Sequence, residues 1–433
     1  MLPIPNDNLP VLIAGARTPF LDSAGAYSPL MSYELGAIAL KGVMERVTLD
    51  PKQLGVVIMG TVLHEINTTN VAREAMLAAG LPATVPAYTV AMAGISPSVG
   101  VMNICDQIAL GRMQFGLASG TENFSDVPIR LSQNIRRTAM KMRQARTGKE
   151  RLKLLGQLRL KDLSLDLPMS ADYTTGLTMG SACEAMVRKF SASRADSDAF
   201  AARSHARAVA AIKAGHFQEQ IVSVYVDGIT VTEDNSPRPD TTAEKLAKLP
   251  PVFDKANGII TAGNSSRFTD GAGALLLGSL GAARAQDLPV LAIFRDYQLA
   301  GVRSLNEEML LGPAVTIPGV LARNGLKFED IGVWEIHEAF ATQVLINRQC
   351  MASRQFVDDR FGPETPHGEI PLDKLNVWGG SLSLGNPFAA TGVRLIQTAA
   401  QRLKLENQRY AIVSTCAGGG LGAALLLENP AAV

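Results

Sequence analysis

Short apolar runs alternate with amphipathic stretches along the first part of the chain. The apolar runs predict strands, and the amphipathic stretches have helical spacing. The predicted elements are strands at 11–14 and 56–59 around a helix at 32–47, then strands at 87–92 and 115–118 around a helix at 98–110. This alternation predicts an α/β fold with a largely buried sheet.

The same order of elements occurs twice, which predicts two similar halves. Pro-Val-Leu at 10–12 opens the first half, and Pro-Val-Leu at 289–291 opens the second. In the second half a strand near Val377, the turn SLGNPFAATG, a helix at 393–403 and a strand ending VSTCAGG repeat the first-half order. We therefore predict a duplicated fold. The expected domains are a first half at 1–124 plus 261–285, an insertion at 125–260 and a second half at 286–433.

Composition and charge exclude several classes of protein. The chain has 433 residues, 47% of them apolar, and a formal net charge of +1, which indicates a globular protein without global attraction to nucleic acid. Its four cysteines are scattered and form no CxxC pair, so we expect neither a disulfide framework nor a metal site. No apolar run reaches the ~18 residues of a membrane span, and no signal-like segment begins the chain. We expect a cytoplasmic protein.

One segment of the insertion is strongly basic. Residues 136–161 contain ten Lys or Arg and a single acid, Glu150, with leucines and methionines interleaved. A solvated helical face, a partner-docking surface and an interfacial amphipathic helix all fit this pattern. Nucleic acid fits least, because the segment lacks aromatic residues that could stack on bases.

The chain ends with an apolar run, a cysteine and a glycine loop, VSTCAGGGLGAALLLE. GGGLGA matches a dinucleotide fingerprint on paper, but the chain ends before the acidic residue that this fingerprint needs about 20 positions on. We therefore exclude dinucleotide binding. Cys416 fits either a buried small hydrophobe or a cysteine used in thiolate chemistry.

Three further stretches are candidates for chemistry, and each also fits a purely structural role. His337 stands where the strand-like run 333–336 stops, without the second histidine of an HExxH zinc site. The turn at Gly385 and Asn386 leads into a helix. The loop at 261–277 is rich in small residues, against which a long ligand can lie.

Together these stretches resemble the thiolase family along nearly the whole chain. GARTPF, VAREAMLAAG, SGTENFS, YTTGLTMG, NSSRFTDGAGA, MLLGPA, IHEAFA, WGGSLSLGNPFAATGVRLI and CAGGGLGAALLLE stand in the family's order. IHEAFA and the basic insertion resemble the branch that contains the β-subunits of the fatty-acid oxidation trifunctional complex. The resemblance implies duplicated βαβαβαββ halves in five layers, αβαβα, with the insertion folded over the active site.

The resemblance also implies roles for site residues. Cys416 matches the family cysteine that moves a proton at the α-carbon of an acyl thioester, a role that a lowered pKa would support. The acyl-carrying cysteine falls on Gly94, and the histidine that activates it falls on Asn386. His337 and the Asn386 amide can donate hydrogen bonds to a thioester oxygen. The backbone amides of Gly94 and Gly418 match a second oxyanion hole.

The expected ligand is CoA or an acyl-CoA, with no permanently bound cofactor and no metal. Ser266, Asn264, Phe340 and Met179 are the expected contacts. The family forms dimers through the first half, and often tetramers, for which apolar strand ends such as 115–118 are suitable. The basic segment 136–161 is expected to contact a hydratase- or dehydrogenase-type partner subunit or an anionic membrane surface.

The replaced positions change the expected activity. Acyl transfer through an acyl-enzyme needs a nucleophile, and glycine has no side chain to acylate. Cys105 lies about 16 Å along a helix from Gly94. Ser96 and Ser98 are near but lack an obvious base, and Cys183 is a weak substitute. Gly94 itself could hold a positive φ that a cysteine would resist.

We therefore predict an acyl-CoA-handling protein, related to 3-ketoacyl-CoA thiolase, that lacks ordinary thiolysis. Cys416 and His337 would serve altered thioester chemistry such as enolisation, decarboxylation or direct hydrolysis. Two alternatives stay open. One is a catalytically silent acyl-CoA-binding subunit of a heteromeric complex, and the other is a conventional acetyl-CoA C-acyltransferase with an unrecognised nucleophile.

Overall fold

The structure is a computed structural model that describes residues 4–166, 168 and 171–432. Its strands are β1 (Pro10–Arg17), β2 (Leu21–Asp22), β3 (Leu54–Gly60), β4 (Ala87–Val90), β5 (Phe115–Glu122), β6 (Arg130–Leu131), β7 (Leu165–Asp166), β8 (Val224–Val226), β9 (Ile229–Val231), β10 (Thr269–Ser279), β11 (Ala292–Gly301), β12 (Ile331–Ile336), β13 (Tyr410–Ala417) and β14 (Leu421–Glu428).

The α-helices include the three predicted from the sequence at 32–47, 98–110 and 393–403. They are α1 (Ser32–Met44), α2 (Val71–Ala78), α3 (Ser96–Ala109), α4 (Gln133–Gln144), α5 (Gly148–Leu155), α6 (Met179–Phe190), α7 (Arg194–Lys213), α8 (Ala243–Leu246), α9 (Leu280–Ala285), α10 (Leu305–Glu308), α11 (Gly312–Arg323), α12 (Ala341–Ala352), α13 (Arg354–Phe361), α14 (Ser381–Leu384) and α15 (Phe388–Leu405). None of the helices in the described ranges is long and apolar enough to cross a membrane.

The strand order supports the duplicated fold predicted from the sequence. The main sheet runs β12–β13–β14–β11–β1–β10–β5–β3–β4, and β1 joins the halves by pairing Val11 with Ile293 and Leu12 with Ala292. In the first half β4, β3 and β5 are parallel, and β10 and β1 are antiparallel to their neighbours. In the second half β12 and β13 are parallel, and β14 and β11 follow antiparallel.

The helices form three layers around these strands. α1 and α2 pack outside the first-half strands, and α11 and α12 pack outside the second-half strands. The two long helices α3 and α15 pack against each other and bury apolar faces against strands of both halves. The result is the expected five-layer αβαβα arrangement, with the amino ends of α3 and α15 brought together.

Two local predictions are wrong. The strand expected near Val377 is only an isolated bridge between Leu375 and Trp334, because Asn376 takes a left-handed φ of 46° that ends the extended run. Residues 115–118 cannot form a subunit interface, since β5 lies between β10 and β3 and Phe115 is fully buried. The first-half edge strand is β4 instead.

Candidate active site

Gly94 lies in a tight turn between β4 and α3. The strained residue of this turn is Ala93, with a φ of 47°, whereas Gly94 is not among the residues with positive φ. Ser96 holds the turn by accepting a hydrogen bond from the Met92 N–H at 2.8 Å and donating one to the Ala93 carbonyl at 2.6 Å. The idea that Gly94 needs a positive φ is therefore wrong, and the conformation does not require glycine at position 94.

Cys416 lies near the end of β13, directly across from this turn. A β-carbon built on Gly94 would lie 3.6 Å from the carbonyl oxygen of Cys416 and 4.0 Å from the Ala417 β-carbon. Cys416 is 3% exposed, and burial raises its pKa to about 12. The lowered pKa that a catalytic base would need is absent here, and Cys416 is a protonated thiol at neutral pH.

His337 directly follows β12, and its backbone N–H donates to the Ser414 carbonyl of β13 at 2.9 Å. Its Nδ1 lies 2.9 Å from Ser381 Oγ, which in turn accepts a hydrogen bond from the Arg394 guanidinium at 3.3 Å. With Ser381 Oγ accepting from Arg394 and donating to Nδ1, the ring proton of His337 stands on Nε2. Burial, together with the Arg394 charge, lowers the pKa of His337 to about 3 and keeps the ring neutral.

Asn386 presents its amide N–H groups rather than its oxygen. Thr391 Oγ1 donates to Asn386 Oδ1 at 2.9 Å, so the Asn386 Nδ2 atom faces Ser266 Oγ at 3.4 Å. The preceding Gly385 has a φ of 91°, and a β-carbon there would collide with Thr269. An amide in this orientation donates hydrogen bonds and accepts no proton at neutral pH.

The substitute nucleophiles considered from the sequence are poorly placed. Ser96 uses its hydroxyl to hold the turn, and Ser98 is fully buried with its oxygen beside Gly392 of α15. Cys183 is fully buried in α6, and burial raises its pKa well above the usual value. Burial does the same to the pKa of Cys105. Burial therefore disfavours a thiolate at Cys105 and Cys183, and the Ser96 hydroxyl is committed to the turn.

The small-residue loop at 261–268 is tied to the segment after His337. The Ser266 N–H donates to the Ala339 carbonyl, and the Ala341 N–H donates to the Asn264 carbonyl, both at 2.9 Å. Asn264 is fully buried, and its side chain bonds Asp198, the Ile259 carbonyl and the Thr261 N–H. Asn264 thus holds the loop together.

One part of the insertion lies against the turn at Gly418. Met179 begins α6, and its sulfur lies 3.5 Å from a β-carbon built on Gly418. Phe253 packs edge-to-face against Phe340, with ring centroids 6.2 Å apart. Met179 therefore covers Gly418, and Phe253, whose ring lies against Gly180, continues this apolar cover to Phe340.

Sequence reasoning missed three supporting residues: Ser381, Thr391 and Arg394. A weak signal existed for Arg394, because this charged residue interrupts an apolar run, and it is fully buried. The hydroxyls of Ser381 and Thr391 sit in the quoted motif WGGSLSLGNPFAATGVRLI, but only the folded structure shows which side chains they orient.

Comparison with known proteins agrees with this geometry. The sequence model described as "Thiolase, N-terminal domain" matches residues 10–280, and "Thiolase, C-terminal domain" matches residues 288–429. A "Probable 3-ketoacyl-CoA thiolase" of Caenorhabditis elegans is 42% identical over 426 residues, which cover 97% of this chain and 94% of the relative. "Trifunctional enzyme subunit beta, mitochondrial" of Mus musculus is 42% identical over 425 residues, covering 98% and 89%.

A solved structure extends the comparison to three dimensions. The human mitochondrial 3-ketoacyl-CoA thiolase in complex with CoA superposes with a TM-score of 0.81 at 28% identity, covering 98% of each chain. The fold and the matched domains agree. The chain therefore belongs to the thiolase family, in the branch that resembles trifunctional-enzyme β-subunits.

Proposed function

We propose that this chain binds CoA thioesters in the cleft between Gly94 and Cys416 and does not carry the acyl group on a side chain. The observation that carries the proposal is that the position beside the backbone carbonyl of Cys416 is a glycine, which has no side chain to acylate. Thiolysis by way of an acyl-enzyme requires a nucleophile at the reacting carbonyl. Removing the nucleophile of a catalytic unit costs on the order of 10⁶ in rate in other enzymes.

The remaining groups support thioester binding. His337 Nε2–H and Asn386 Nδ2–H are neutral donors suited to a thioester oxygen. The apolar cover formed by Met179, Phe253 and Phe340 suits an acyl or pantetheine chain. The solved relative in complex with CoA spans the same length of chain, which supports CoA as the ligand class.

The test is incubation of the purified protein with an acyl-CoA, followed by intact-protein mass spectrometry and calorimetric titration. We expect CoA thioesters to bind without a covalent adduct, and 3-ketoacyl-CoA with free CoA to remain uncleaved. An acyl adduct together with thiolysis would establish a conventional thiolase with another nucleophile and overturn the proposal. Binding with no turnover of any thioester would favour the silent-subunit alternative.

We further propose that α4 and α5 dock onto an anionic surface of a partner subunit. These helices carry much of the basic segment 136–161, and neither contains a buried residue. Met140 and Leu152 are 57% and 72% exposed among these cations. Relatives that carry the name of a trifunctional-enzyme subunit support a partner protein, and an anionic membrane is the other surface with suitable charge.

The same family relation supports a homodimer or tetramer. The edge strand β4 has a free side in the protomer and leaves Tyr88 37% exposed. A free strand edge is a natural site for pairing with a second copy. Light scattering at micromolar concentration tests this proposal, and a monomer there would contradict it.

A further inference from the structure

Arg394 is a charged side chain in the interior that has few partners. It lies on α15, is fully buried, and makes one side-chain hydrogen bond to a described residue, from Nη2 to Ser381 Oγ at 3.3 Å. Its Nε and Nη1 atoms meet no acceptor in the described ranges. The neighbouring carboxylate of Glu335 is bonded to Arg402 instead, at 2.8 Å. A buried guanidinium with one hydrogen bond is costly, and such exceptions are expected at functional sites.

Ser381 connects Arg394 to His337. Its hydroxyl oxygen lies 2.9 Å from His337 Nδ1 and accepts from Arg394, and no other described side chain bonds it. Ser381 is fully buried, and a guanidinium accepts no hydrogen bond, so Nδ1 is the acceptor open to the hydroxyl proton. A ring proton on Nδ1 would leave the hydroxyl proton without an acceptor, at the cost of a buried hydrogen bond.

The other ring nitrogen of His337 is free to meet a ligand. Nε2 bonds no side chain or backbone group in the described ranges, and it is not among the enclosed atoms that lack a partner. The two ring nitrogens therefore have separate roles. Nδ1 is held from inside the protein by Ser381, and Nε2 faces outward.

We propose that Arg394 is a positioning residue that acts through Ser381 to keep the ring proton of His337 on Nε2, so that this atom binds only ligand groups that accept a hydrogen bond. The inference rests on the proposed function, in which the accepting group is the carbonyl oxygen of a CoA thioester. Arg394 suits this role because it donates and never accepts. An amide in its place could accept the Ser381 proton, and Ser381 could then accept a proton from Nδ1.

A fixed donor makes the carbonyl oxygen of the ligand a determinant of specificity. Acetyl-CoA has this oxygen, and the thioether S-ethyl-CoA is a similar molecule without it. A site built to donate to an oxygen disfavours an analogue that lacks it, because the donor is left unpaired. With the proton on Nδ1, Nε2 would become an acceptor that repels the carbonyl oxygen. The ratio of the two affinities therefore reports where the proton of His337 lies.

The first measurement needs no ligand. The full chain is labelled with ¹⁵N-histidine, and the chemical shifts of the ring nitrogens distinguish a protonated Nε2 from a protonated Nδ1. The signals of His337, one of five histidines, are assigned by their loss in His337→Asn. We expect Nε2–H alone in the wild type, and a mixture of the two tautomers in Arg394→Gln and in Ser381→Ala.

Two variants serve as controls. Arg394→Lys keeps a donor that cannot accept, so it should retain the proton on Nε2. Lys404→Gln makes the same change of charge at an exposed position of α15 and should match the wild type.

The second measurement is calorimetric titration with acetyl-CoA and with S-ethyl-CoA. We expect the preference for acetyl-CoA to fall about fivefold to tenfold in Arg394→Gln and in Ser381→Ala, the effect of one hydrogen bond. The double variant should show no further fall, because both changes break the same chain of hydrogen bonds. A purely structural role of Arg394 would weaken the two ligands equally.

The outcomes separate this inference from the proposed function. Nε2–H alone in folded Arg394→Gln overturns the role of Arg394, and the same spectrum in Ser381→Ala overturns the role of the chain. Equal losses for the two ligands, or losses that add in the double variant, also overturn the inference. A wild type that binds neither CoA compound overturns the proposed function, and the spectra still decide whether Arg394 controls the tautomer.

Discussion

The carbonyl oxygen of Cys416 lies 3.6 Å from the position that a Gly94 β-carbon would occupy, an ordinary van der Waals distance. Ala93 carries the left-handed φ of this turn, so position 94 is free of that constraint. A side chain at position 94 would therefore point at the end of β13 without strain. This relationship makes the proposed loss of the nucleophile testable by introducing a thiol at position 94.

The first prediction is that Gly94→Cys combined with Asn386→His gives measurable thiolysis of 3-ketoacyl-CoA. The wild type should show negligible activity, and either single change should add little, because a thiol without a base is only partly ionised. Rates are measured as CoA-dependent cleavage of a 3-ketoacyl-CoA. Gly94→Ala with Asn386→His is the matched control, since it adds the β-carbon without the thiol.

Two results bear against this prediction. A folded double variant that binds CoA but gives no cleavage would show that residues besides those at positions 94 and 386 prevent thiolysis. Robust wild-type thiolysis that persists in alanine variants of Cys183, Ser96 and Ser98, and disappears only with Cys416, would show another route for the acyl group.

The fold was largely predictable because its signals are local. Buried strands such as β1 and β3 appear as continuous apolar runs, and α15 begins directly after the Asn386–Pro387 turn. The strand near Val377 failed because Asn376, a residue that tolerates left-handed φ, interrupts it. The suggested interface at 115–118 failed because a strand run alone does not tell an edge from the centre of a sheet.

The site was predictable in its members but not in their protonation. Motif order points to His337 and Cys416, yet the direction of each pKa shift depends on burial by distant segments. A lowered pKa would support an acid or base role of Cys416, and burial in the folded chain raises that pKa instead. The hydrogen bond from Thr391 to Asn386 likewise needs the turn geometry of the start of α15.

The second prediction concerns the orientation of the Asn386 amide. Thr391→Val removes the hydroxyl that holds Asn386 Oδ1, so the amide can rotate and present its oxygen to the cleft. We expect CoA-thioester affinity to fall about fivefold to tenfold, in line with the ~1 kcal/mol of one hydrogen bond. Calorimetric titration measures it, and Thr391→Ser, which keeps the hydroxyl, should stay near the wild type. Equal affinities of the two variants would contradict the role of Thr391.

The third prediction is a pH dependence of stability from His337. The folded pKa of about 3 lies below the usual 6.5, so between these values the unfolded chain binds more protons than the folded one. The free energy of unfolding therefore decreases as pH falls from 6.5 towards 3, by at most ~1.4 kcal/mol per pH unit for this group. His205, with a pKa near 4, acts in the same direction.

Thermal unfolding of His337→Asn, measured from pH 7 to pH 4, tests this linkage. The variant should lose less stability than the wild type over this range, because one buried neutral imidazole has been removed. His64→Asn, at an exposed position, is the control and should parallel the wild type. Parallel curves for His337→Asn and the wild type would rule out the predicted contribution.

The last prediction concerns the basic surface of α4 and α5. Arg136 is partly committed to the fold, since it bonds the Leu131 carbonyl and Asp166, so Arg137 and Lys141 are the better positions to change. Reversing both to Glu should abolish pull-down of an anionic partner subunit. Raising salt from 50 mM to 500 mM should weaken wild-type binding at least tenfold, because exposed charges are screened.

The charge-matched control is the double variant Lys41→Glu and Lys52→Glu, on the first half, which should bind normally. Parallel flotation with phosphatidylserine vesicles separates a membrane from a protein partner. Binding that is indifferent to salt, or equal in the two double variants, would show that the ten cations of 136–161 do not form the contact.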